Sequence, residues 1–351
     1  MRLRRQILRY GMLRAGLFPK PARGCRASVL LTDINGEIGR DRYQDVFGQV
    51  LLELAKMDDR VVGITPAMAT GCGMNILANE MPERFFDVGI EEEHAVTFSA
   101  GLAAGGMRPF CNIYSSFSQR AYDEIVHDVA LQNLPVVLCF DRAGLVGEDG
   151  ATHHGCYDMA AYRSIPGCIV SAPRNETELK SLMFTALKYD GGPFIIRYPR
   201  GCGEGTDWRN AEFSELMPGK GECLLEGDRL AIIAAGPEAC RAVEAAAIVN
   251  ERTGINVAVY DIRYIKPIDE DILERAAKCG KVLTVEEGCI KGGLFGAVAE
   301  YMAEKGHLIR IEGLGIPDEF IGQDKQASQR AECGLDAEGI AAKCMEMLEK
   351  M

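Results

Sequence analysis

The stretch Arg108–Asp141, RPFCNIYSSFSQRAYDEIVHDVALQNLPVVLCFD, decides the fold. Its opening residues, Arg108–Tyr114, read as a strand, and its closing residues, Pro135–Asp141, as a near-continuous apolar strand. Between them, Gln119–Gln132 carries apolar residues at helical period. Strands that are apolar on both faces, alternating with helices, predict a parallel sheet covered on both sides.

The alternation extends in both directions. Upstream, Val46, Phe47, Val50, Leu51 and Leu54 mark a helix, Arg60–Thr65 a short buried strand and His94–Ala104 a helix of small residues. Downstream, Gly144–Cys156 is a Gly- and His-rich loop. Asn175 with Glu178 forms a capping-box start for a helix reaching about Tyr189, and Phe194–Tyr198 is another strand. Cys202–Gly221 is Gly-rich and polar and reads as a linker. A second alternating unit follows, with strands at Arg229–Ala235, Ile255–Ile262, Val282–Val285 and Leu308–Glu312. Its helices lie at Glu238–Arg252, Glu270–Lys278, Gly293–Glu304 and Ala337–Leu348. The expected fold is therefore α/β, with two doubly wound domains and mostly parallel sheets. The expected organisation is a basic arm at 1–42, a first domain at 43–200, a linker at 201–220 and a second domain at 221–351.

Composition narrows the function classes. The 351 residues are 47% hydrophobic and 26% charged, as in soluble globular proteins. No apolar run approaches a membrane span, and the net charge of -12 argues against nonspecific nucleic-acid binding. Thirteen cysteines without a C-x-x-C pair fit reduced thiols in a cytoplasmic setting better than disulfides or zinc. The first 27 residues are Arg-rich, with no acid before Asp33. An organellar transit peptide, a nonconserved tail and the remnant of an upstream domain all fit that segment.

In an open α/β sheet, ligands sit beyond the carboxyl ends of the strands. The polar clusters after Tyr114, after Asp141 and after Tyr198 all fall at such ends. These clusters, with FDVGIEEEHAVTFSAGLAAGG, IYSSFSQRAYDEIVHDVALQNLPVV, DRAGLVGEDGATHHG and RYPRG, resemble 1-deoxy-D-xylulose-5-phosphate synthase, a transketolase-like family. The similarity runs from about Tyr43 to the C-terminus and includes DIRYIKPID and VEEG. It corresponds to the last two-thirds of such an enzyme, its pyrimidine-binding and transketolase C-terminal domains.

The resemblance implies a thiamine-diphosphate site. Glu92 matches the catalytic glutamate, whose carboxyl shares a proton with the aminopyrimidine. By composition alone, Glu91–Glu93 is a solvated acidic helix start. The family commonly reads A-E-Q-H where this chain has Glu91-Glu92-Glu93-His94. Phe117 matches the aromatic that stacks on the pyrimidine, and Tyr114 and Arg120 match residues lining the same pocket. Arg142 and Arg200 match a phosphate-binding pair, a task suited to permanently charged, bidentate guanidinium groups. Asp149 and His153 match residues near the acceptor aldehyde. His154 is a neighbour, His94 and His127 are structural, and no close ligand spacing supports a metal site.

The resembled enzymes bind Mg2+ and the diphosphate through an upstream domain whose motif runs from G-D-G to an asparagine. No such string occurs here. The chain is accordingly expected to be half of a split or truncated enzyme, its partner a diphosphate-binding domain protein in trans within a homo-oligomer, with a fragment of a longer chain as the other reading. The expected reaction condenses pyruvate with glyceraldehyde 3-phosphate to give 1-deoxy-D-xylulose 5-phosphate and CO2, supplying isoprenoid precursors and thiamine biosynthesis. A transketolase-like or 2-oxoacid dehydrogenase beta-type subunit is the alternative among enzymes, and a noncatalytic interaction subunit the alternative outside them.

Overall fold

The computed structural model describes residues 40–349, so the basic arm lies outside the described residues apart from its last three positions. The described residues form a seven-stranded and a five-stranded sheet. The first comprises β1 (Val61–Thr65), β2 (Phe85–Asp87), β3 (Arg108–Tyr114), β4 (Val137–Ala143), β5 (Ile169–Ser171), β6 (Phe194–Pro199) and β10 (Tyr264–Lys266). Their order is β10-β5-β6-β4-β3-β1-β2, parallel except for β10. The second comprises β7 (Glu222–Leu225), β8 (Ala231–Ala235), β9 (Ala258–Asp261), β11 (Lys281–Cys289) and β12 (Arg310–Ile316). Its order is β12-β11-β8-β9-β7, with only β7 antiparallel.

The expected α/β architecture is therefore present, and β3 begins and ends where the sequence places it. Strands β1, β3, β4, β6 and β8 are buried almost throughout, which explains their predominantly apolar character. The capping box closes in altered form. Asn175 Oδ1 accepts from Glu178 N at 3.0 Å, but Glu178 Oε2 accepts from Arg174 N at 2.8 Å, one residue upstream of the cap.

Three features differ from the sequence expectation. Strands β2, β5 and β10 are each three residues long, too short to show a period, and β7, with four residues, is barely longer. The helix expected over Gln119–Gln132 is broken: a 3-10 turn at Gln119–Ala121 leads to a single helical turn and then a π-helix at Ile125–Ala130. Leu131 N donates to Val126 O and Leu134 N to Val129 O, both i→i+5 bonds. The Cys202–Gly221 segment is packed, with Trp208 1% exposed and its Nε1 donating to Asp41 Oδ2 at 2.9 Å.

The two halves interlock. Strand β10 leaves the second half and pairs antiparallel with β5, at the edge of the first sheet. A buried ion network covers the same junction: Arg174 Nη1 donates to Glu222 and Asp261, each at 2.9 Å, and Arg263 Nε to Glu178 at 2.7 Å.

Candidate functional site

The site grows out of the carboxyl ends of adjacent strands. Tyr114, the last residue of β3, pairs in register with Asp141 of β4, and Ala143 pairs with Pro199 of β6. Arg142 and Arg200 therefore emerge side by side. The β4–β6 register shifts between Phe140 and Ala143, and Arg142 takes a left-handed φ of 60°. A residue with a Cβ adopts that conformation at a cost of roughly 1–3 kcal/mol. The irregularity turns a side chain that would lie in the sheet towards the strand ends.

From there direct contacts link Arg142 to Tyr114, Phe117, His153, Asp149 and Arg200. The Arg142 guanidinium lies 4.1 Å from the centroid of the Tyr114 ring. Arg142 Nη1 donates to Asp149 Oδ2 at 2.8 Å, and Arg200 Nη1 lies 2.9 Å from the same oxygen. Tyr114 and Phe117 have ring centroids 5.6 Å apart, and His153 meets Phe117 edge-on at 5.2 Å. Phe117 is half-buried on the turn Ser115–Ser118, which runs directly into the turn carrying Arg120. Arg120 Nη1 donates to Glu92 Oε2 at 3.1 Å. Glu92 opens the helix Glu92–Ala104 and is only 3% exposed, so it differs from a solvated acidic helix start. Its neighbours Glu91 and His94 are exposed.

The eight sequence-selected residues thus fall in two contact groups, Glu92 with Arg120, and Tyr114, Phe117, Arg142, Asp149, His153 and Arg200, joined through the consecutive turns that carry Phe117 and Arg120. His154 stands apart from the reactive groups. It is buried, its Nδ1 accepts from Val146 N at 3.1 Å, and burial lowers its pKa. It therefore supports the loop as a neutral imidazole. His127 is exposed, 3.9 Å from Asp123. Burial raises the Tyr114 hydroxyl pKa, against the pull of Arg142, so that hydroxyl keeps its proton.

The loop between Arg142 and His153 is closed at its neck by reciprocal 2.8 Å bonds between Gly144 and Gly155. Both positions require glycine. A Cβ on Gly144 (φ 78°) would lie 2.7 Å from the Glu287 side chain, and one on Gly155 would lie 2.5 Å from Arg142 O.

Supporting residues that sequence reasoning did not single out lie farther along the chain. Asp158 Oδ2 accepts from Ser115 Oγ at 3.0 Å and from Arg197 Nε at 2.8 Å. Arg197 Nη2 donates to Glu287 O at 2.9 Å, and Glu287 Oε1 accepts from Leu145 N at 2.8 Å. Glu287 lies in the VEEG stretch, the one sequence signal for this group. Adjacent residues of a strand face opposite sides. Accordingly, Glu286 turns away and accepts from Leu294 N and Phe295 N, at the start of the helix Leu294–Glu304.

Among the described residues, no group of three or more His, Cys, Asp or Glu side chains is arranged to hold a metal ion. No helix among them is long and apolar enough to cross a membrane.

Comparison with known proteins agrees with this architecture. The transketolase pyrimidine-binding domain matches residues 42–204, and the transketolase C-terminal domain matches residues 219–340. The chain is 52% identical to the 1-deoxy-D-xylulose-5-phosphate synthase of Phocaeicola vulgatus over 299 residues, covering 85% of this chain and 47% of that protein. It is 50% identical to the Thermomicrobium roseum enzyme over 308 residues, covering 88% of this chain and 49% of that protein. The chain thus spans about half the length of the curated relatives it matches, less than the two-thirds expected from the motifs. Among solved structures, a split-gene transketolase described as an inactive beta4 tetramer superposes with a TM-score of 0.78 at 29% identity, over 88% of this chain and 98% of that one. A transketolase from Campylobacter jejuni shares the fold, with a TM-score of 0.72 at 19% identity, over 90% of this chain and 49% of that one. The chain belongs to the transketolase-like family and carries the pyrimidine-binding and C-terminal domains found in 1-deoxy-D-xylulose-5-phosphate synthases.

Proposed function

We propose that this chain is the pyrimidine-domain half of a thiamine-diphosphate-dependent synthase that condenses pyruvate with glyceraldehyde 3-phosphate to 1-deoxy-D-xylulose 5-phosphate and CO2. The observation that carries the reading is the placement of two contact groups along one stretch of chain, Ser115–Ala121: buried Glu92 with Arg120, and Phe117 and Tyr114 with the Arg142–Asp149–Arg200 group. It joins a carboxyl suited to an aminopyrimidine to a pair of guanidinium groups suited to a phosphate.

The residues fit the pyrimidine end of the cofactor. Glu92 has a carboxyl held inside the protein, and Phe117 has a half-buried ring packed beside Tyr114. When bound, thiamine diphosphate supplies the nucleophilic carbon and electron sink that decarboxylation and condensation need. Glu92 shares a proton through a carboxyl oxygen, and Arg120 fixes the direction of that oxygen. Phe117 offers a stacking face. Arg142 and Arg200 bind the acceptor phosphate, and Arg142 Nε is buried with no hydrogen-bond partner among the described residues, leaving a donor for it. Asp149, displaced from the arginines by that phosphate, and His153 orient the acceptor hydroxyl and carbonyl groups.

Ligands for Mg2+ and the diphosphate belong, in this reading, to a separate diphosphate-binding domain acting in trans. Two observations support such a partner. Glu93 Oε2 and Glu124 Oε2 flank Arg120 in sequence or in space, and both are buried without a hydrogen-bond partner among the described residues. Buried acceptors of that kind are costly unless a donor reaches them. The split-gene transketolase chain also has nearly the same extent as this one. Residues 43–200 act as the pyrimidine domain, 201–220 as a packed connection and 221–351 as the C-terminal domain. The setting is cytoplasmic and the assembly a homo-oligomer with its partner.

The substrate assignment is tested with the reconstituted complex by comparing pyruvate with ketose phosphates as donors to glyceraldehyde 3-phosphate. Turnover with pyruvate and none with ketoses supports the synthase. The reverse assigns the chain to a transketolase-type reaction.

A further inference from the structure

The loop carrying Leu145–Asp149 contains no regular structure beyond one 3-10 turn, yet it must hold Asp149 and the backbone beside Arg200 in place. The groups that hold it come from about 180 residues farther along the chain. The helix Gln326–Glu332 presents two amides to the loop backbone. Gln329 is fully buried. Its Oε1 accepts from Gly147 N at 3.0 Å and its Nε2 donates to Gly147 O at 3.1 Å, so one side chain pairs with a backbone unit as a neighbouring strand would. Its Nε2 also donates to Gly322 O at 2.7 Å. Gln326 Nε2 donates to Leu145 O at 2.6 Å and to Arg200 O at 3.2 Å. A single amide therefore joins the backbone of the Arg142 loop to the backbone of Arg200 itself.

A second anchor reinforces the first. Glu287 Oε1 accepts from Leu145 N at 2.8 Å, while Arg330, on the same helix as the two glutamines, donates through Nε to Glu287 Oε2 at 2.8 Å. Leu145 is thus held at its N–H by Glu287 and at its carbonyl by Gln326. Burial raises the pKa of the Glu287 carboxyl and the Arg330 and Arg241 guanidinium groups lower it; the net effect is a pKa of about 2. It is a charged acceptor at neutral pH, and charge-assisted bonds are the stronger class.

Resting on the phosphate-binding role given above to Arg142 and Arg200, we propose that Gln326 is a positioning residue that sets the spacing of the arginine pair, with Gln329 and Glu287 fixing the loop on which it acts. The C-terminal domain then contributes to acceptor binding without touching the acceptor. Phosphate recognition by two forked guanidinium groups depends on their separation, and misplacement at a distance from the reacting atoms carries a large penalty. Gln326 is only partly buried, so its removal tests position without opening a cavity.

The experiment uses the purified full chain with inorganic phosphate and glycerol 3-phosphate as probes. Binding is followed by 31P line broadening and by the arginine Nε–Hε resonances of 15N-labelled protein. Melting temperature is recorded for every variant. Arg142→Ala and Arg200→Ala are the reference variants. Gln326→Leu and Gln326→Ala are the test variants. The expected result is loss of binding in the arginine variants and about tenfold weaker binding in both Gln326 variants, the scale of a hydrogen-bonded anchor. The Arg200 Nε–Hε resonance moves and the melting temperature holds. If the arginine variants lose phosphate while both Gln326 variants bind as the parent does, the positioning role is overturned and the phosphate site stands. Weakening in Gln326→Leu alone is a packing effect of the leucine and equally overturns it. If the arginine variants still bind, the phosphate site itself is wrong, and the inference falls with it.

Discussion

Arg142 and Arg200 share one oxygen atom. Each guanidinium places Nη1 within 3 Å of Asp149 Oδ2, at 2.8 and 2.9 Å. A carboxylate so placed competes with any phosphate for both arginines. Asp149→Ala is expected to bind inorganic phosphate about tenfold more tightly than the parent chain, because charge-assisted bonds no longer have to be broken. In the reconstituted enzyme the same variant loses turnover, since no carboxylate remains to orient the acceptor. Titration calorimetry and steady-state kinetics on one preparation check both halves.

Glu92→Gln keeps the shape of the buried side chain and removes its capacity to share a proton. Turnover in the reconstituted complex is expected to fall by about 10²–10⁴-fold, the range for acid–base groups. Cofactor affinity changes far less. Measuring kcat together with the thiamine-diphosphate concentration at half-saturation separates the two.

Asp141 lies beneath the arginine pair, 2% exposed, with Oδ2 lacking a hydrogen-bond partner among the described residues. Burial pushes its carboxyl up to about 7, against the pull of Arg142. In the unfolded chain such a group ionises near 4. Its contribution to stability is therefore complete below about pH 4 and is lost as pH rises through about 7. Urea midpoints should fall between pH 5.5 and 8.5, and Asp141→Asn should recover about 1–3 kcal/mol at the higher pH. Burial also raises the pKa values of Glu238 and Asp261, so part of the slope persists in the variant.

Trp208 tests whether the segment between the two halves is structural. Its indole is buried and bonded to Asp41. Trp208→Ala is expected to cost about 3–5 kcal/mol in urea denaturation, whereas a loose linker would tolerate the change within about 0.5 kcal/mol.

Long strands such as β3 and β4 were readable because burial on both faces makes most of their residues apolar. The cluster was readable because Tyr114, Arg142 and Arg200 each sit just inside or after such a strand. Strand β10 was not, since three residues show no period and its partner lies some 95 positions upstream. Gln326 and Gln329 carried no signal at all. Their function is to satisfy backbone groups that only tertiary folding brings near. The break in the Gln119–Gln132 helix was hidden because helical periodicity does not distinguish an α-helix from an α-helix followed by a π turn.

The most direct test of the central claim is formation of 1-deoxy-D-xylulose 5-phosphate from pyruvate and glyceraldehyde 3-phosphate, with thiamine diphosphate and Mg2+. The purified chain is assayed alone, then mixed with a diphosphate-domain protein from the same genome. Product is expected in the mixture only, and Glu92→Gln abolishes it. Product from the chain alone, or a mixture that forms a complex yet yields none, would contradict that claim.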